Sequence, residues 1–488
     1  MSRINCFLPY ASTRLWESLL PGLISHELVN KIFLMGRETP GQVPEGCQFL
    51  KTDGWFGTDA MLKIADHSTG VDYTLLMMGA SKISLGLFAL ERLCQVADET
   101  GAGMVYADYR EVVEEKVIPH PVIDYQSGSL RDDFDFGPLV LLNSQALIGV
   151  TSGWTESFSH AGLYRVRLKL SQAQLPQRIP EFLYTVEKED TRQSGQKMFD
   201  YVDPKNREVQ LEMEQAVTAH LRELGAYLSP RTGLVAFDHE RFDTEATVII
   251  PVLNRVKTIR EAIVSVMSQR AVFPFNLIVV DNHSSDGTTA LVRELAERYS
   301  NLIHLVPERK DLGIGGCWNL GVHHPGCGRF AIQLDSDDLY AGADTLEQIV
   351  SAFYKQQCAM VVGSYRMTNF QLEEIPPGVI DHREWTQENG HNNALRINGL
   401  GAPRAFYTPI LRGIPIPNVS YGEDYAVGLA ISRHYPIGRI YEPLYLCRRW
   451  EDNTDASLTT EAQNRHNLYK DRIRSFELQA RIRMNQNP

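Results

Sequence analysis

The chain has 488 residues, 43% hydrophobic and 22% charged, with a formal net charge of −12 and a pI near 5.7. Such a length exceeds one ordinary domain, and the acidic balance excludes a broad nucleic-acid footprint while leaving room for a small anionic ligand in a local field. Seven scattered cysteines with no CxxC pair, a start (MSRINCFLPYAST) without a signal-peptide core and the lack of a long apolar run predict a cytoplasmic protein without structural zinc or a membrane span.

In the first half, Ile4–Pro9, Asn30–Gly36, Tyr73–Met78 and Gly103–Asp108 read as buried strands. Helical patterns lie between them: Ser12–Leu20, and Leu85–Glu99 with Leu87, Leu90, Leu93 and Cys94 on one face. Strands alternating with helices predict an α/β domain with a mostly parallel, doubly wound sheet over residues 1–186. A connector, 187–244, begins polar. Asp203-Pro204 marks a helix start, and Val209, Met213, Val217 and Leu221 form an apolar stripe ending near Gly225. This long helix is expected to pack on one domain or bridge both.

The second domain is predicted over 245–455. Thr247–Pro251 is a strand followed by Asn254 and Arg255, and Thr258–Arg270 is a helix. Asn276–Val280 is a strand ending on Asp281, then come a loop to Thr288, a helix to about Tyr299, a strand near Leu302–Val306 and a turn containing Gly313, Gly315 and Gly316. Phe330–Leu334 is a buried strand that runs directly into Asp335, Ser336, Asp337 and Asp338. Clustered carboxylates repel one another, so this strand end is either a cation site or a solvated turn capping the next helix. Ligands of open α/β sheets bind beyond such strand ends. Asp281 and Asp286 also fit a simple Asx turn. Asn389–Arg404, rich in Gly and Asn, reads as a loop with His391, Asn398 and Arg404 as candidate contacts. Glu423-Asp424 opens a helix, where a carboxylate also serves as a cap. Arg448-Arg449-Trp450 follows the strand Tyr441–Cys447. The tail, 456–488, is an imperfectly amphipathic helix with Lys470, Arg472, Arg474, Arg481 and Arg483. It either docks on the second domain or touches an anionic membrane surface.

The halves repeat one another. Tyr73–Arg110 lies on Phe330–Arg366, INCFLP matches TVIIPV in character, KIFLMG matches LIVVDN, GLYRVRLKLS matches EDYAVGLAIS and PEFLYTVE matches YEPLYLCR. Where the copies differ, the first lacks acids. Met78 and Ala80 stand for Asp335 and Asp337, Met35 for Asp281, and Gly162-Leu163 for Glu423-Asp424. Apolar strands maintain a fold, whereas acidic strand ends do chemistry, so the second copy is the candidate enzyme and the first a structural or binding domain.

The motifs VIIPVLN, VVDNHSSDGT, LDSDD, GEDY and RRW, in this order, make the second copy resemble the family 2 glycosyltransferases, which have the GT-A fold. The resemblance extends in diverged form to the first half, implying two tandem GT-A-like α/β domains joined by a helical connector. It implies an inverting, metal-dependent transferase that moves a sugar from a nucleoside diphosphate sugar, UDP favoured, to a hydroxyl of a glycan or lipid-linked acceptor. Asp424 would be the catalytic base. Pro251, Asn254, Asp281, Asp335 and Arg449 would bind the donor, and Glu423 and Trp450 the acceptor. Asp337, with Asp335, would hold Mn2+ or Mg2+, Asn453 or Asp455 being candidate third ligands. The glycine turn would approach the nucleotide sugar. Leu446 stands where processive members carry Gln or Arg, which argues against polymer synthesis. The alternatives are a glycan- or nucleotide-binding scaffold with inactive domains and a sugar nucleotidyltransferase, which would need a Gly-rich loop that Pro251–Arg260 lacks.

Overall fold

The structure, a computed structural model, describes residues 2–10, 15–39, 41–79, 81–187, 207–230, 234–237, 240–383, 385–450, 453 and 458–487. Two units divide the described residues: 2–187, 207–227 and 458–487 form one, and 228–453 the other. The helix start expected at Asp203-Pro204 lies outside the described residues, as do Glu451, Asp452 and Asp455.

The first unit contains strands β1 (Ile4–Pro9), β2 (Val29–Gly36), β3 (Cys47–Lys51), β4 (Tyr73–Met77), β5 (Lys82–Leu85), β6 (Met104–Val113), β7 (Lys116–His120), β8 (Leu139–Asn143) and β9 (Gln177–Glu187). Their order is β3-β2-β1-β4-β8-β6-β9-β5, with β7 beside β6. The second unit contains β10 (Ala246–Val252), β11 (Phe275–Asp281), β12 (Leu302–Leu305), β13 (Phe330–Gln333), β14 (Leu339–Tyr340), β15 (Met360–Asn369), β16 (Glu374–Ile380), β17 (Arg404–Tyr407) and β18 (Ile437–Arg449). Their order, β12-β11-β10-β13-β17-β15-β18-β14 with β16 beside β15, reproduces the first sheet strand for strand. The repeat seen in sequence is thus a repeat of topology.

Each sheet is parallel at one end and mixed at the other. In the second unit β12, β11, β10 and β13 run parallel, and β17 then enters antiparallel between β13 and β15. The short strands RAFY and LY and the edge strand KISL are too brief for a periodicity to announce them. Val248, Ile249, Ile250 and Leu277–Val280 are wholly buried, as continuous apolar strands covered on both faces should be.

Register sharpens one sequence pairing. Ile4 pairs with Tyr73 as Ala246 pairs with Phe330, which sets Pro9 on Pro251. Pro9 then faces Met35 and Pro251 faces Val280, so the counterpart of Asp281 is Gly36, one residue beyond the expected Met35.

Two helices outside the repeat complete the first unit. The connector helix, Arg207–Glu223, buries Val217 and Leu221. Its Glu212 accepts from the backbone N–H of Ser159, His160 and Ala161 at 2.9, 2.7 and 3.1 Å, capping the helix Gly162–Ala173. Its Glu223 takes the Arg165 guanidinium, which with Gln172 holds the Glu223 carboxyl down at about 2.

The terminal helix, Thr460–Gln486, docks on the first unit and not, as expected, on the second. Gly128 N donates to Ser475 Oγ at 2.9 Å and Ser129 Oγ to Asp471 Oδ2 at 2.8 Å. A Cβ on Gly128 would stand 2.2 Å from the Asp471 carbonyl oxygen, so the two backbones touch where only glycine fits. The docked face mixes apolar and charged side chains: Leu478 is buried and Leu468 packs on the core, Asp471–Arg474 and Glu477–Arg481 are buried ion pairs, and Phe476 is exposed. Buried charges are tolerated because they are paired.

Candidate active site

A cleft of about 520 Å³ opens in the second unit where β10, β13 and β17 end. The turn Asp335–Asp338 forms its floor because the strand must stop there. Asp338 is buried and accepts from Arg448 N at 2.8 Å, while Asp338 N donates to Asp335 O at 3.2 Å. Burial raises the Asp338 carboxyl well above the carboxylate range, with Asp337 and Asp335 adding to the shift. Arg448, itself buried, clamps the same turn through the Asp337 carbonyl and Glu261. Arg448 is therefore structural, and Asp338, although it borders the cleft, spends its carboxylate on Arg448 N; Asp335, Asp337 and Arg449 line the cleft beside it.

Asp335 presents surface to the cleft but is walled in by protein. Loss of bulk solvent raises its carboxyl, Arg404 and Gln333 oppose the shift, and Asp337 adds to it. Asp337 Oδ2 is approached by Trp450 Nε1 at 3.2 Å, Asn453 Nδ2 at 3.3 Å and Arg255 Nε at 3.9 Å. Among the described residues no group of three or more His, Cys, Asp or Glu is arranged around a metal. The donor set nonetheless fits a hard divalent cation, which is commonly held by one or two carboxylates completed by substrate phosphates and water. Asp335 and Asp337 are the two carboxylates that line the cleft at this strand end.

Glu423 and Asp424 reach the same cleft from the start of the helix Glu423–His434. Burial, reinforced by Asp424, pushes the Glu423 carboxyl up to about 8, and its Oε2 is buried without a hydrogen-bond partner. Asp424 Oδ2 lies 2.9 Å from Arg404 Nη1. Of the candidates in Asn389–Arg404, only Arg404 reaches the cleft. His391 is buried and bonded to Leu228 O at 2.8 Å, and Asn398 does not line the cleft.

Pro251 lines the cleft, and Asn254 stands beside its rim in a left-handed conformation (φ 54°), accepting from Ser285 N at 2.8 Å. Asp281 does not line it. It is fully buried, accepts from Ser284 N at 2.9 Å and Thr289 Oγ1, and lies 3.5 Å from His304 Nε2. Burial would raise its carboxyl, but these contacts outweigh burial and lower it. The neighbouring Asn282 is the cleft residue at this strand end. Asp286 accepts from Val256 N and Thr288 N, both at 3.0 Å, and so ties the loop together.

Trp450 sits against Asp337, Phe370 and Lys257. The glycine turn borders the cleft through Ile314 and Cys317. A Cβ on Gly315 would meet Pro417 O at 1.9 Å, so the glycine admits the chain's own backbone. Arg255 and Asn282 also line the cleft, without a role assigned by the motifs, and Arg404, a candidate contact, lines it too. For Arg404 the repeat held a signal, because its counterpart by register is Val140.

The family match falls in the second unit. Residues 247–409 match the family described as Glycosyl transferase family 2. The chain is 24% identical over 241 residues to the minor teichoic acid biosynthesis protein GgaB of Bacillus subtilis, covering 46% of this chain and 25% of that protein. It is 33% identical over 207 residues to an uncharacterized glycosyltransferase of Rickettsia felis, covering 41% of this chain and 32% of that one. The matches thus span a third or less of these relatives' length. Among solved structures, S. aureus TarS 1-349 in complex with UDP-GlcNAc matches with a TM-score of 0.37 and 21% identity, over 44% of this chain and 62% of that one.

Proposed function

We propose, from the match of residues 247–409 to Glycosyl transferase family 2, that the chain transfers a sugar from a nucleoside diphosphate sugar, UDP favoured, to an acceptor hydroxyl of a glycan or lipid-linked molecule, with inversion. The observation that carries this reading is the convergence on one cleft of two acidic pairs, Asp335/Asp337 and Glu423/Asp424, from elements far apart in sequence. The first unit repeats the topology without those acids.

In this reading Arg449 and Arg255 hold the diphosphate by charge-assisted hydrogen bonds. Asp335 and Asp337 hold Mn2+ or Mg2+, which supplies Lewis-acid neutralisation of the leaving diphosphate. Asp424 accepts the proton of the acceptor hydroxyl as that oxygen bonds to the anomeric carbon. The C–O bond to the diphosphate breaks on the opposite face, and its electron pair leaves with the diphosphate. Glu423, neutral below about pH 8, donates to the acceptor or its loop. Pro251, Asn254 and Asn282 border the nucleotide side of the cleft. Trp450 serves the diphosphate side, since it touches Asp337.

The first unit has a structural or binding role in this reading. No helix among the described residues is long and apolar enough to cross a membrane. Peripheral contact through the terminal helix would rest on Arg472 and Arg483, because Lys470, Arg474 and Arg481 are buried. A thermal-shift screen of UDP, GDP and dTDP with and without Mn2+ tests the reading, since a ligand of the folded state raises the Tm. A Mn2+-dependent shift with one nucleotide is expected. No shift with any of them would refute the assignment of the cleft.

A further inference from the structure

Neither oxygen of the Asp424 carboxylate is free to wander. Arg404 Nη1 lies 2.9 Å from Oδ2, and Tyr425 N donates to Oδ1 at 2.7 Å. Arg404 is anchored in turn: Nη1 donates to Gly401 O at 2.8 Å, and its backbone N donates to Gln333 Oε1 at 3.2 Å. The other end of that amide, Gln333 Nε2, donates to Asp335 Oδ1 at 2.9 Å. An unbroken chain therefore runs Asp424–Arg404–Gln333–Asp335, from the helix start that carries one acidic pair to the turn that carries the other.

The fold does not require this chain. By strand register Gln333 corresponds to Leu76 and Arg404 to Val140 in the first unit, where the same strands are built from apolar side chains. Burying a guanidinium and an amide costs desolvation that leucine and valine avoid. The second unit thus carries a buried amide and a partly buried guanidinium that its twin does without, and both terminate on cleft carboxylates. The groups facing Arg404 are Asp424 and Glu423 from the helix, Asp335 from the turn and Tyr445 from β18.

Resting on the glycosyltransferase reading of the cleft, we propose that Arg404 is a positioning residue for the reaction, fixing the rotamer of Asp424 and tying it through Gln333 to the Asp335 turn. A carboxylate oxygen accepts more than one hydrogen bond, so Asp424 can be held by Arg404 and still receive the acceptor proton. The guanidinium suits the task because the two hydrogens of Nη1, held in one rigid plane, serve Asp424 and Gly401 at once.

The test uses the full chain with Mn2+ and a nucleotide sugar, turnover being read as UDP release and donor binding as the UDP Kd. R404K, R404Q, D424N and R404Q/D424N are compared. R404Q should lower kcat about 100-fold, the scale of a misplaced reactive group, with donor KM and UDP Kd within about twofold, R404K should retain more turnover, and the double variant should be no slower than D424N. Unchanged kcat in R404Q, a raised donor KM alone, additive losses in the double variant, or failure of both Arg404 variants to bind UDP would each overturn the inference. Full turnover in D424N would instead remove the glycosyltransferase assignment of Asp424, and so the reading beneath the inference.

Discussion

The two units are one topology used twice, and their difference separates what the sheet requires from what the chemistry adds. Both have the same nine-strand order, and both place a proline at the same register position, Pro9 and Pro251. The ends of their strands diverge. The first unit has Leu76, Met78 and Val140 where the second has Gln333, Asp335 and Arg404. The helix that begins with Glu423-Asp424 in the second begins with Gly162-Leu163 in the first, and its exposed amides are capped by Glu212 from the connector. A helix start that binds a chain-borne carboxylate is satisfied and closed. The equivalent start in the second unit keeps its carboxylates for the cleft.

Four measurements would break or sharpen this contrast. The largest effect is expected from Asp424→Asn, the removal of a general base, at about 10²- to 10⁴-fold in turnover with UDP binding retained. Turnover near the wild-type level would place the base elsewhere. Next, Asp337→Ala or chelation by EDTA should cost about 100-fold or more, read as UDP release with and without added Mn2+. Equal rates in all conditions would leave the second unit without a metal role. A smaller effect concerns Glu423→Gln. The Glu423 carboxyl titrates at about 8 in the folded protein and at about 4.3 in an unfolded chain. Between those values the folded state binds more protons, so the contribution of Glu423 to stability falls as pH rises through this window. The Tm of E423Q relative to wild type should therefore climb from pH 5 to pH 8 and then level off. A difference that is flat across that range would contradict the shift. Smallest is Glu212→Ala in the first unit, which should cost about 0.5–2 kcal/mol of stability, as a lost helix cap does, in denaturant unfolding. Turnover should be untouched. A large loss of turnover would show that the first unit is more than a support.

Much of the contrast was legible in the sequence. The long apolar strands and the acids at their ends announce themselves through composition and order, and the repeat survives because burial constrains the same positions twice. Three parts were hidden. Gly315 looks like a ligand-facing turn, but its contact is Pro417, which no local pattern reveals. Asp281 occupies a motif position, yet the loop residues Ser284 and Thr289 consume its oxygens. The tail reads as a helix with basic residues free for a surface, yet Arg474 and Arg481 are buried in ion pairs with Asp471 and Glu477 beside Leu478, next to the tertiary contact with Gly128 and Ser129.

The docking of Thr460–Gln486 on the first unit also has a consequence for synthesis. Domains generally fold as they leave the ribosome, the earliest first. Here the earlier domain is closed by a segment that follows the later domain in sequence, so the later domain can finish before its predecessor does. Until residue 475 is made, Gly128 has no Ser475 to receive its N–H, and the partners of Asp471 and Arg474 are missing. Nascent chains stalled before this helix should expose the first unit to protease at residues 126–131 while the second is already protected. The order of the sequence and the order of maturation are, in this molecule, different things.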